Sequence, residues 1–251
     1  MNELDFHTAL SSLVIIIGGF TFVLLFFISA PYGRHRREGW GPVIPEKLGW
    51  VIMESPSVLL FAAVFFAGHH REHIIPLALA ALWLTHYVHR TFIYPFRSGP
   101  SKKTMPMAVM CMAIVFNMCN AYLNARWISH FGEYTFDEPL WPLFIGSVLF
   151  LLGMMINISA DNTLLRLKKG SGGRYQIPQG RLFKYVSCPN YAGELLEWFG
   201  WAIACSSFAG WSFFIFTFAN LVPRARTHHR WYQEKFHDYP AQRRAVFPWL
   251  F

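Results

Sequence analysis

Long apolar runs, separated by short polar segments, recur along the whole chain. A helix needs about 20 mostly apolar residues to cross the hydrocarbon core of a bilayer. Runs suited to this lie near residues 9–30, 46–68, 75–96, 105–128, 141–163, 190–208 and 210–223. The last two form one stretch interrupted at Ser206-Ser207 and Gly210, which allows two short helices or a reentrant helix. The pattern predicts an all-α polytopic membrane protein with seven transmembrane helices.

Composition supports a lipid environment. The chain has 251 residues, of which 54% are hydrophobic and 14% charged, against about 25% charged residues in soluble domains. A soluble fold of this size leaves too much surface in water to hide so many apolar side chains. The acidic start at Met1–Asp5 precedes an apolar run longer than that of a cleaved signal peptide, so we interpret the first run as a retained anchor.

Basic residues alternate between the connecting segments and predict the topology. Of the 22 Lys and Arg residues, 19 lie in segments 31–47, 97–104, 164–189 and 224–251. The intervening segments 1–8, 69–74 and 129–140 contain only Arg71. The positive-inside bias then places the N-terminus outside and the C-terminus in the cytoplasm. The net charge of +8 is thereby explained by topology, and no nucleic-acid partner is expected.

Polar side chains recur inside the predicted spans at helical spacing. Residues three, four or seven apart share a helix face, and ionisable groups in a bilayer are costly. Such residues are Glu54 in the second run, His86, Tyr87, His89 and Arg90 in the third, Asn117, Asn120 and Asn124 in the fourth, Asn157 and Asp161 in the fifth, Asn190, Glu194 and Glu197 in the sixth, and Arg224, His228 and Tyr232 in the tail. Because lipid cannot satisfy them, we expect these stripes to converge on one site. For any single stripe, hydrogen bonding between helices remains an alternative.

Metal and nucleotide motifs give no strong signal. Residues 69–73 match the metallopeptidase string HxxEH but occupy a short connection without room for a protease domain. His86, His89 and His228-His229 are too few for the histidine boxes of membrane di-iron hydroxylases. Four cysteines form no CxxC pair, so neither metal nor disulfides are expected. The glycines at 170–173 do not form a GxGxxG or Walker A motif, so a dinucleotide would lie among helix ends and basic side chains.

Several motifs in one order resemble the steroid 5α-reductase family, and within it most closely the vertebrate type 2 enzyme. They are Glu54-Ser55-Pro56-Ser57, His86-Tyr87-Val88-His89-Arg90-Thr91-Phe92, Gly153-Met154-Met155-Ile156-Asn157-Ile158 with Asp161, Gln179-Gly180-Arg181-Leu182-Phe183-Lys184-Tyr185-Val186-Ser187, Asn190-Tyr191-Ala192-Gly193-Glu194 with Glu197-Trp198, and the tail from 224 to 251. The likeness covers nearly the whole chain after the first helix. Residues Gln176 and Lys168 depart from it, because vertebrate relatives usually carry arginine there, and Pro189 precedes Asn190.

The resemblance implies an enzyme that uses NADPH to reduce the C4–C5 double bond of 3-oxo-Δ4 steroids. It implies that Glu54 and Tyr87 bind the steroid C3 carbonyl. The residues implied to hold NADPH are Asn157, Asp161, Asn190, Glu194, Arg224, His228 and Tyr232, with Arg90, Lys103, Asn120, Lys168 and Tyr175 in the same pocket. We expect one domain over 1–251, with the substrate side mainly in helices 1–4 and the cofactor side mainly in residues 150–251.

Other functions stay open on sequence alone. A related sterol or enoyl-CoA reductase has similar architecture, and an isoprenylcysteine-type methyltransferase has a similar basic C-terminal segment. In a non-catalytic lipid or steroid-binding transporter, the stripes would form a passage. We expect a monomer in a bacterial inner membrane or the endoplasmic reticulum membrane, with its steroid entering from lipid. NADPH binding would separate these alternatives.

Overall fold

The fold is helical almost throughout the part of the chain that the computed structural model describes, residues 2–29, 39–97, 99, 103–137, 139–170 and 174–249. The α helices are α1 Glu3–Phe27, α2 Glu46–Glu54, α3 Pro56–Phe66, α4 Ile74–Val88, α5 Tyr94–Arg97, α6 Met107–Arg126, α7 Trp141–Gly170, α8 Pro189–Cys205 and α9 Phe208–Lys235. Two π-helical turns, His89–Ile93 and Trp127–Phe131, follow α4 and α6, and a 3₁₀ turn covers Arg181–Lys184. Two short strands, β1 Val43–Pro45 and β2 Thr104–Pro106, pair antiparallel.

Each predicted apolar run corresponds to a helical segment, with differences at the ends. The second run is divided at Ser55, after which Pro56 opens α3, as suits a residue without a backbone N–H donor. The last two runs are separate helices, because Ser206 ends α8 in a left-handed conformation with φ of 44°. The final helix continues twelve residues beyond the predicted boundary at 223 and ends at Lys235.

Four helical segments of the described chain are long and apolar enough to cross a membrane. They are Glu3–Phe27, Glu46–Phe66, Met107–Phe131 and Trp141–Gly170. These segments are typical of an integral membrane protein. The count of seven spans and the outside position of the N-terminus remain predictions. The basic residues Arg34, Arg36, Arg37 and Lys102 and the loop residues 171–173, on which part of the topology argument depends, lie outside the described residues.

Glycines bring α7 and α8 into close antiparallel contact. Gly146 and Gly153 of α7 face Gly200 and Gly193 of α8. A Cβ atom added at Gly153 would lie 2.3 Å from the Glu197 backbone nitrogen, and one at Gly200 would lie 2.4 Å from the Phe150 nitrogen. Small residues at such positions let membrane helices approach closely and gain packing energy. This contact fixes the relative height of the polar residues on the two helices.

An aromatic core lies beside this helix pair. The Trp83 ring of α4 packs against Trp198 at 5.5 Å and Trp201 at 5.1 Å, and all three side chains are fully buried. Phe213 of α9 contacts both Trp83 and Trp198. Large rings of this kind bury much area and pack in defined orientations. They therefore hold α4, α8 and α9 together around the polar groups described next.

The C-terminal tail folds back onto the segment before α8. The backbone nitrogens of Ser187 and Cys188 donate to the carbonyl oxygens of Arg244 and Ala245, at 2.8 and 3.0 Å. The buried Arg243 guanidinium donates to the Pro178 carbonyl at 3.0 Å and to Gln179 Oε1 at 2.9 Å. The tail thus ties down the chain that leads into α8.

Candidate active site

Glu54 and Tyr87 lie on neighbouring helices at the break between α2 and α3. Asn117 of α6 donates from Nδ2 to the Met53 carbonyl at 2.7 Å and to Glu54 Oε2 at 3.4 Å. Tyr87 of α4 is 4% exposed and packs against Trp83 at 4.8 Å, with Glu54 within electrostatic range of its phenol. The break at Ser55-Pro56 places the Glu54 side chain at a helix end. We call Glu54, Tyr87 and Asn117 the Glu54 cluster.

A second polar cluster joins α7 to the start of α8. Asn157 Nδ2 donates to the Asn190 carbonyl at 3.0 Å and to Glu194 Oε2 at 3.4 Å. Asn190 Nδ2 donates to Asp161 Oδ1 at 3.2 Å. The members of each pair, Asn157 with Asp161 and Asn190 with Glu194, are one turn apart on their helix, so all four side chains meet at one level. We call them the Asn157 cluster.

Arg90 lies between the two clusters. Its guanidinium is 3.8 Å from Asp161 Oδ2 and within electrostatic range of Glu54 and Glu194. The cation lies over the rings of Trp50 at 4.7 Å and Tyr94 at 4.9 Å. Arg90 belongs to the π-helical turn after α4, and such turns are frequent at functional sites. One cation therefore connects carboxylates from three separate helices.

The side chains on one face of α9 extend the site toward the tail. Arg224 donates to Asn220 Oδ1 at 3.0 Å and to the Tyr191 hydroxyl at 3.1 Å, and His228 Nε2 lies 3.1 Å from the same hydroxyl. Tyr232, one turn further, is buried and stacks on Tyr239 at 5.3 Å. Tyr191, which follows Asn190 in α8, was not among the predicted site residues. Its position links the α9 stripe to the Asn157 cluster.

Basic residues gather at the end of α7. Lys168 lies within electrostatic range of Lys103, Lys47 and Glu46, so the start of α2 and the residue before β2 come close to it. The pairing of β1 with β2 explains this proximity, since the Glu46 nitrogen donates to the Lys103 carbonyl at 2.9 Å. The Tyr175 ring packs edge-on against Trp231 of α9 at 4.8 Å. Arg and Lys groups at helix ends attract phosphate.

The asparagines of α6 form hydrogen bonds in two different parts of the structure. Asn117 belongs to the Glu54 cluster, whereas Asn124 Nδ2 donates to Asn120 Oδ1 at 2.8 Å and Asn124 Oδ1 accepts from Trp201 Nε1 at 2.8 Å. The predicted convergence of the stripes is therefore incomplete for α6. Structural hydrogen bonding between helices, the alternative left open by the sequence, describes Asn124.

A buried pair that spacing alone did not single out joins α4 to α8. His86 Nδ1 lies 2.7 Å from Glu197 Oε1, and the Glu197 side chain has no exposed surface. The sequence contains two indications of this pair. His86 is adjacent to Tyr87, and Glu197 belongs to the stripe that also contains Asn190 and Glu194. The pairing itself depends on how α4 lies against α8. In the described ranges, no group of three or more His, Cys, Asp or Glu side chains is arranged to hold a metal ion.

Comparison with known proteins identifies the family. A family model described as 3-oxo-5-alpha-steroid 4-dehydrogenase matches residues 103–251. The chain belongs to the steroid 5-alpha-reductase family. It is 45% identical over 252 residues to the steroid 5-alpha-reductase DET2 of Gossypium hirsutum, covering 98% of this chain and 97% of the relative. It is 40% identical over 249 residues to the 3-oxo-5-alpha-steroid 4-dehydrogenase 1 of Bos taurus, covering 96% of each.

Membership in the steroid 5-alpha-reductase family makes the chain an oxidoreductase that acts on steroids, and its apolar helices agree with an integral membrane protein. The family resemblance predicted from the motifs is confirmed. The roles of individual residues, the identity of the nicotinamide cofactor and the expected closeness to the vertebrate type 2 enzyme remain predictions.

Proposed function

We propose that the protein reduces the C4–C5 double bond of 3-oxo-Δ4 steroids, such as testosterone or progesterone, to 5α-dihydro steroids with NADPH. The observation that carries this proposal is the meeting of Glu54, Arg90 and Asp161, from three separate helical segments, between two buried polar clusters. One cluster offers groups suited to a ketone, and the other offers groups suited to an amide and a ribose.

The Asn157 cluster and the α9 stripe fit a dinucleotide. Carboxylate and amide oxygens of Asp161, Glu194 and the asparagines match the carboxamide of nicotinamide and the hydroxyls of ribose. The acids would repel phosphates, which belong instead near the basic groups. Arg90, Lys103, Lys168, Arg224 and His228 supply positive charge, and Tyr175 and Tyr232 supply rings. Bound NADPH supplies the hydride that adds to C5 of the steroid.

The Glu54 cluster would polarise the ketone. Addition of a hydride at C5 moves the C4–C5 electrons toward the C3 carbonyl, so negative charge develops on its oxygen. Tyr87 donates its phenolic hydrogen bond to that oxygen, and Glu54 donates a second one from a protonated carboxyl group. The resulting enolate then takes a proton at C4 from water, which regenerates the C3 carbonyl. Donors held in a buried site lower the barrier because they need no reorganisation when the charge develops.

The charge balance around Arg90 supports a protonated Glu54. Three carboxyl groups, those of Glu54, Asp161 and Glu194, lie within electrostatic range of the Arg90 cation, and Arg97 is also within range of Asp161. Two or three buried anions around one cation are costly in a medium of low dielectric constant. Asp161 has the closer contacts, 3.2 Å from Asn190 and 3.8 Å from Arg90, whereas Glu54 accepts a 3.4 Å bond from Asn117, so Asp161 suits the anion that faces Arg90 and Glu54 suits the protonated acid.

The decisive experiment measures NADPH oxidation by the purified protein with and without progesterone or testosterone, with the product identified by mass spectrometry. We expect oxidation that depends on steroid and yields the 5α-dihydro compound. Binding of NADPH without steroid-dependent oxidation would refute the proposed substrates, and no NADPH binding would refute the proposed cofactor.

The Tyr87→Phe and Glu54→Gln variants test the carbonyl pair. Each removes a donor and keeps the side chain's shape, so we expect turnover to fall about tenfold or more while the Kd for NADPH is retained. Tyr122→Phe is the matched control, because the Tyr122 hydroxyl contacts Glu3 at 3.2 Å, at the far end of α6. Wild-type rates in both site variants would refute the mechanism.

A further inference from the structure

Two buried polar atoms of complementary kind lack a partner. Within the described part of the chain, neither Asn120 Nδ2, a hydrogen-bond donor, nor Glu197 Oε2, an acceptor, has a hydrogen-bond partner. Both residues are nearly inaccessible, with 2% and 0% exposure. A buried donor or acceptor without a partner costs free energy, and such atoms are rare in native proteins. The two atoms would satisfy each other.

The hydrogen bonds of α6 determine which atom of Asn120 is free. Trp201 Nε1 can only donate, so the atom of Asn124 that it meets at 2.8 Å must be the carbonyl oxygen. The Asn124 amide nitrogen therefore donates, and its partner 2.8 Å away on Asn120 is Oδ1. The remaining atom of Asn120 is its amide nitrogen. The series of bonds ends in a donor.

The arrangement of α6 and α8 puts this donor at the level of Glu197. Asn124 contacts Trp201, and Asn120 and Glu197 each precede these residues by four positions. Both helices run in the same direction, since Asn117 reaches the Glu54 end of the site, where α8 begins. Four residues correspond to about 6 Å of rise on each helix, so Asn120 and Glu197 lie at the same level along the two helices.

The other oxygen of Glu197 leads to Tyr87. Glu197 Oε1 is 2.7 Å from His86 Nδ1, and the His86 ring packs edge-on against Tyr87 at 4.9 Å and Trp198 at 4.6 Å. A histidine held at one ring nitrogen and packed on both sides has one orientation. Because Tyr87 follows His86 in α4, a fixed His86 ring restricts the position of the phenol.

We propose that a small side-chain adjustment brings the two unpaired atoms together, so that Asn120 Nδ2 donates to Glu197 Oε2 and completes one buried hydrogen-bonded chain, Trp201–Asn124–Asn120–Glu197–His86, that positions Tyr87. This assigns Asn120 a positioning role in place of the cofactor contact expected from the sequence. Glu197 and His86 are positioning residues of the same chain. The catalytic half of the proposal rests on the proposed function, whereas the hydrogen bond itself does not.

A reciprocal exchange of amide and carboxylate tests the contact. In Glu197→Gln, the new amide N–H group would face the amide N–H group of Asn120, so two donors would meet. In Asn120→Asp, the new carboxylate would face that of Glu197, so two acceptors would meet. In the double variant Asn120→Asp/Glu197→Gln, the new amide donates to the new carboxylate, while its oxygen still accepts from His86. We expect each single variant to lower kcat about tenfold and the double variant to recover to within about threefold of wild type, with the KM for NADPH unchanged throughout.

Thermal unfolding in detergent measures the same cycle without reference to activity. Each single variant should unfold at a lower temperature than wild type, and the double variant should recover most of the loss. Cys119→Ser, one residue away on α6 and half-buried, is the control, and its effect should add to that of Glu197→Gln.

Three outcomes are distinguishable. Additive losses of unfolding temperature in the reciprocal exchange would overturn the hydrogen bond. Restored unfolding temperature without restored kcat would overturn the positioning of Tyr87. If wild-type protein shows no steroid-dependent turnover, the proposed function fails, and the unfolding cycle still decides whether Asn120 and Glu197 are partners.

Discussion

Asp161 and Asn157 of the Asn157 cluster each contact two polar neighbours. Asp161 accepts from Asn190 and also faces the Arg90 cation at 3.8 Å, and Asn157 contacts both Asn190 and Glu194. Removal of one member therefore changes the others. Residues that act as one hydrogen-bonded unit give non-additive effects on substitution.

Asp161→Ala should weaken NADPH binding. The substitution removes an oxygen that would meet the ribose or carboxamide and leaves Arg90 facing vacated space, so we expect the Kd for NADPH to rise about tenfold. Thr163→Ala is the control, since its hydroxyl bonds only the Ser159 carbonyl of its own helix in the described structure. Unchanged NADPH affinity together with lost turnover in Asp161→Ala would contradict the assignment of this cluster to the cofactor.

Spacing predicted some of these residues and missed others for a physical reason. The pairs on α7 and α8 are one turn apart, and a helix brings such residues to one face whatever surrounds it. Tyr191 and the His86–Glu197 pair depend on contacts between helices, which the sequence of either helix alone does not contain. The Asn117, Asn120 and Asn124 stripe likewise looks uniform in sequence but contacts different helices.

At the scale of helices, the α7–α8 pair shows what small residues contribute. The four glycines at 146, 153, 193 and 200 repeat every seven residues on each helix, and the partner backbone occupies the space where a side chain would stand. Overpacking such an interface forces the helices apart. The separation would also move Asn157 and Asp161 relative to Asn190 and Glu194.

Gly153→Ala should destabilise the protein and weaken the cofactor site together. Because the new methyl group would lie 2.3 Å from the Glu197 nitrogen, we expect the free energy of unfolding to fall by about 2 kcal/mol. Gly19→Ala in α1 is the control, since nothing lies within 4 Å of its added methyl group among the described atoms. Thermal unfolding of both variants provides the measurement, and equal stability would show that the α7–α8 contact is looser.

The apolar runs predicted the helices well, and their interruptions less well. Hydrophobic length is a property of the sequence itself, so each run corresponds to a helical segment. The break at Ser55 is one residue long, and the π-helical turns at His89–Ile93 and Trp127–Phe131 each hold one residue more than an α-helical turn. A change of one residue hardly alters a hydrophobic pattern that is apolar on all sides.

Across the whole molecule, the tail and the segment before α8 form one unit. Arg243 is 2% exposed and bonds Pro178 and Gln179, whereas its neighbour Arg244 is exposed. The family motif at 179–187 and the tail after 224 are thus parts of one structure, which the sequence presents as two separate matches. The side of the membrane on which this unit lies remains a prediction from charge.

Arg243→Ala should destabilise this unit strongly, and Arg244→Ala should not. The loss of two hydrogen bonds from a buried cation should lower the free energy of unfolding by about 2 kcal/mol. Chemical or thermal unfolding of the two neighbouring variants gives the comparison. Equal effects of both substitutions would show that general positive charge matters more than the buried contacts.

The same unit should respond to acid through His229. Its Nδ1 lies 2.6 Å from the Ser187 hydroxyl, and burial, with a smaller contribution from the positive Arg244, lowers the pKa of His229. A lowered pKa favours the neutral ring in the native state, so its contribution to stability is present above about pH 6.5 and is lost as the pH falls through the native value.

His229→Gln should therefore lose less stability than wild type between about pH 7.5 and pH 5.5. Unfolding temperatures measured across this range provide the test, with the exposed His237→Gln as the control that keeps the wild-type pH dependence. Parallel curves for wild type and His229→Gln would exclude His229 as the source of the acid sensitivity.

The π-helical turn after α4 lies between a residue of the proposed steroid site and a residue that contacts Arg90. It holds one residue more than an α-helical turn, and it comes after Tyr87 but before Tyr94, whose ring lies under the Arg90 cation. Loss of one residue there would rotate everything that follows by about 100° and leave everything that precedes it in place. An insertion or deletion in this turn therefore changes the position of Tyr94 relative to the proposed cofactor site, while Tyr87 and the steroid that it is proposed to bind keep their orientation.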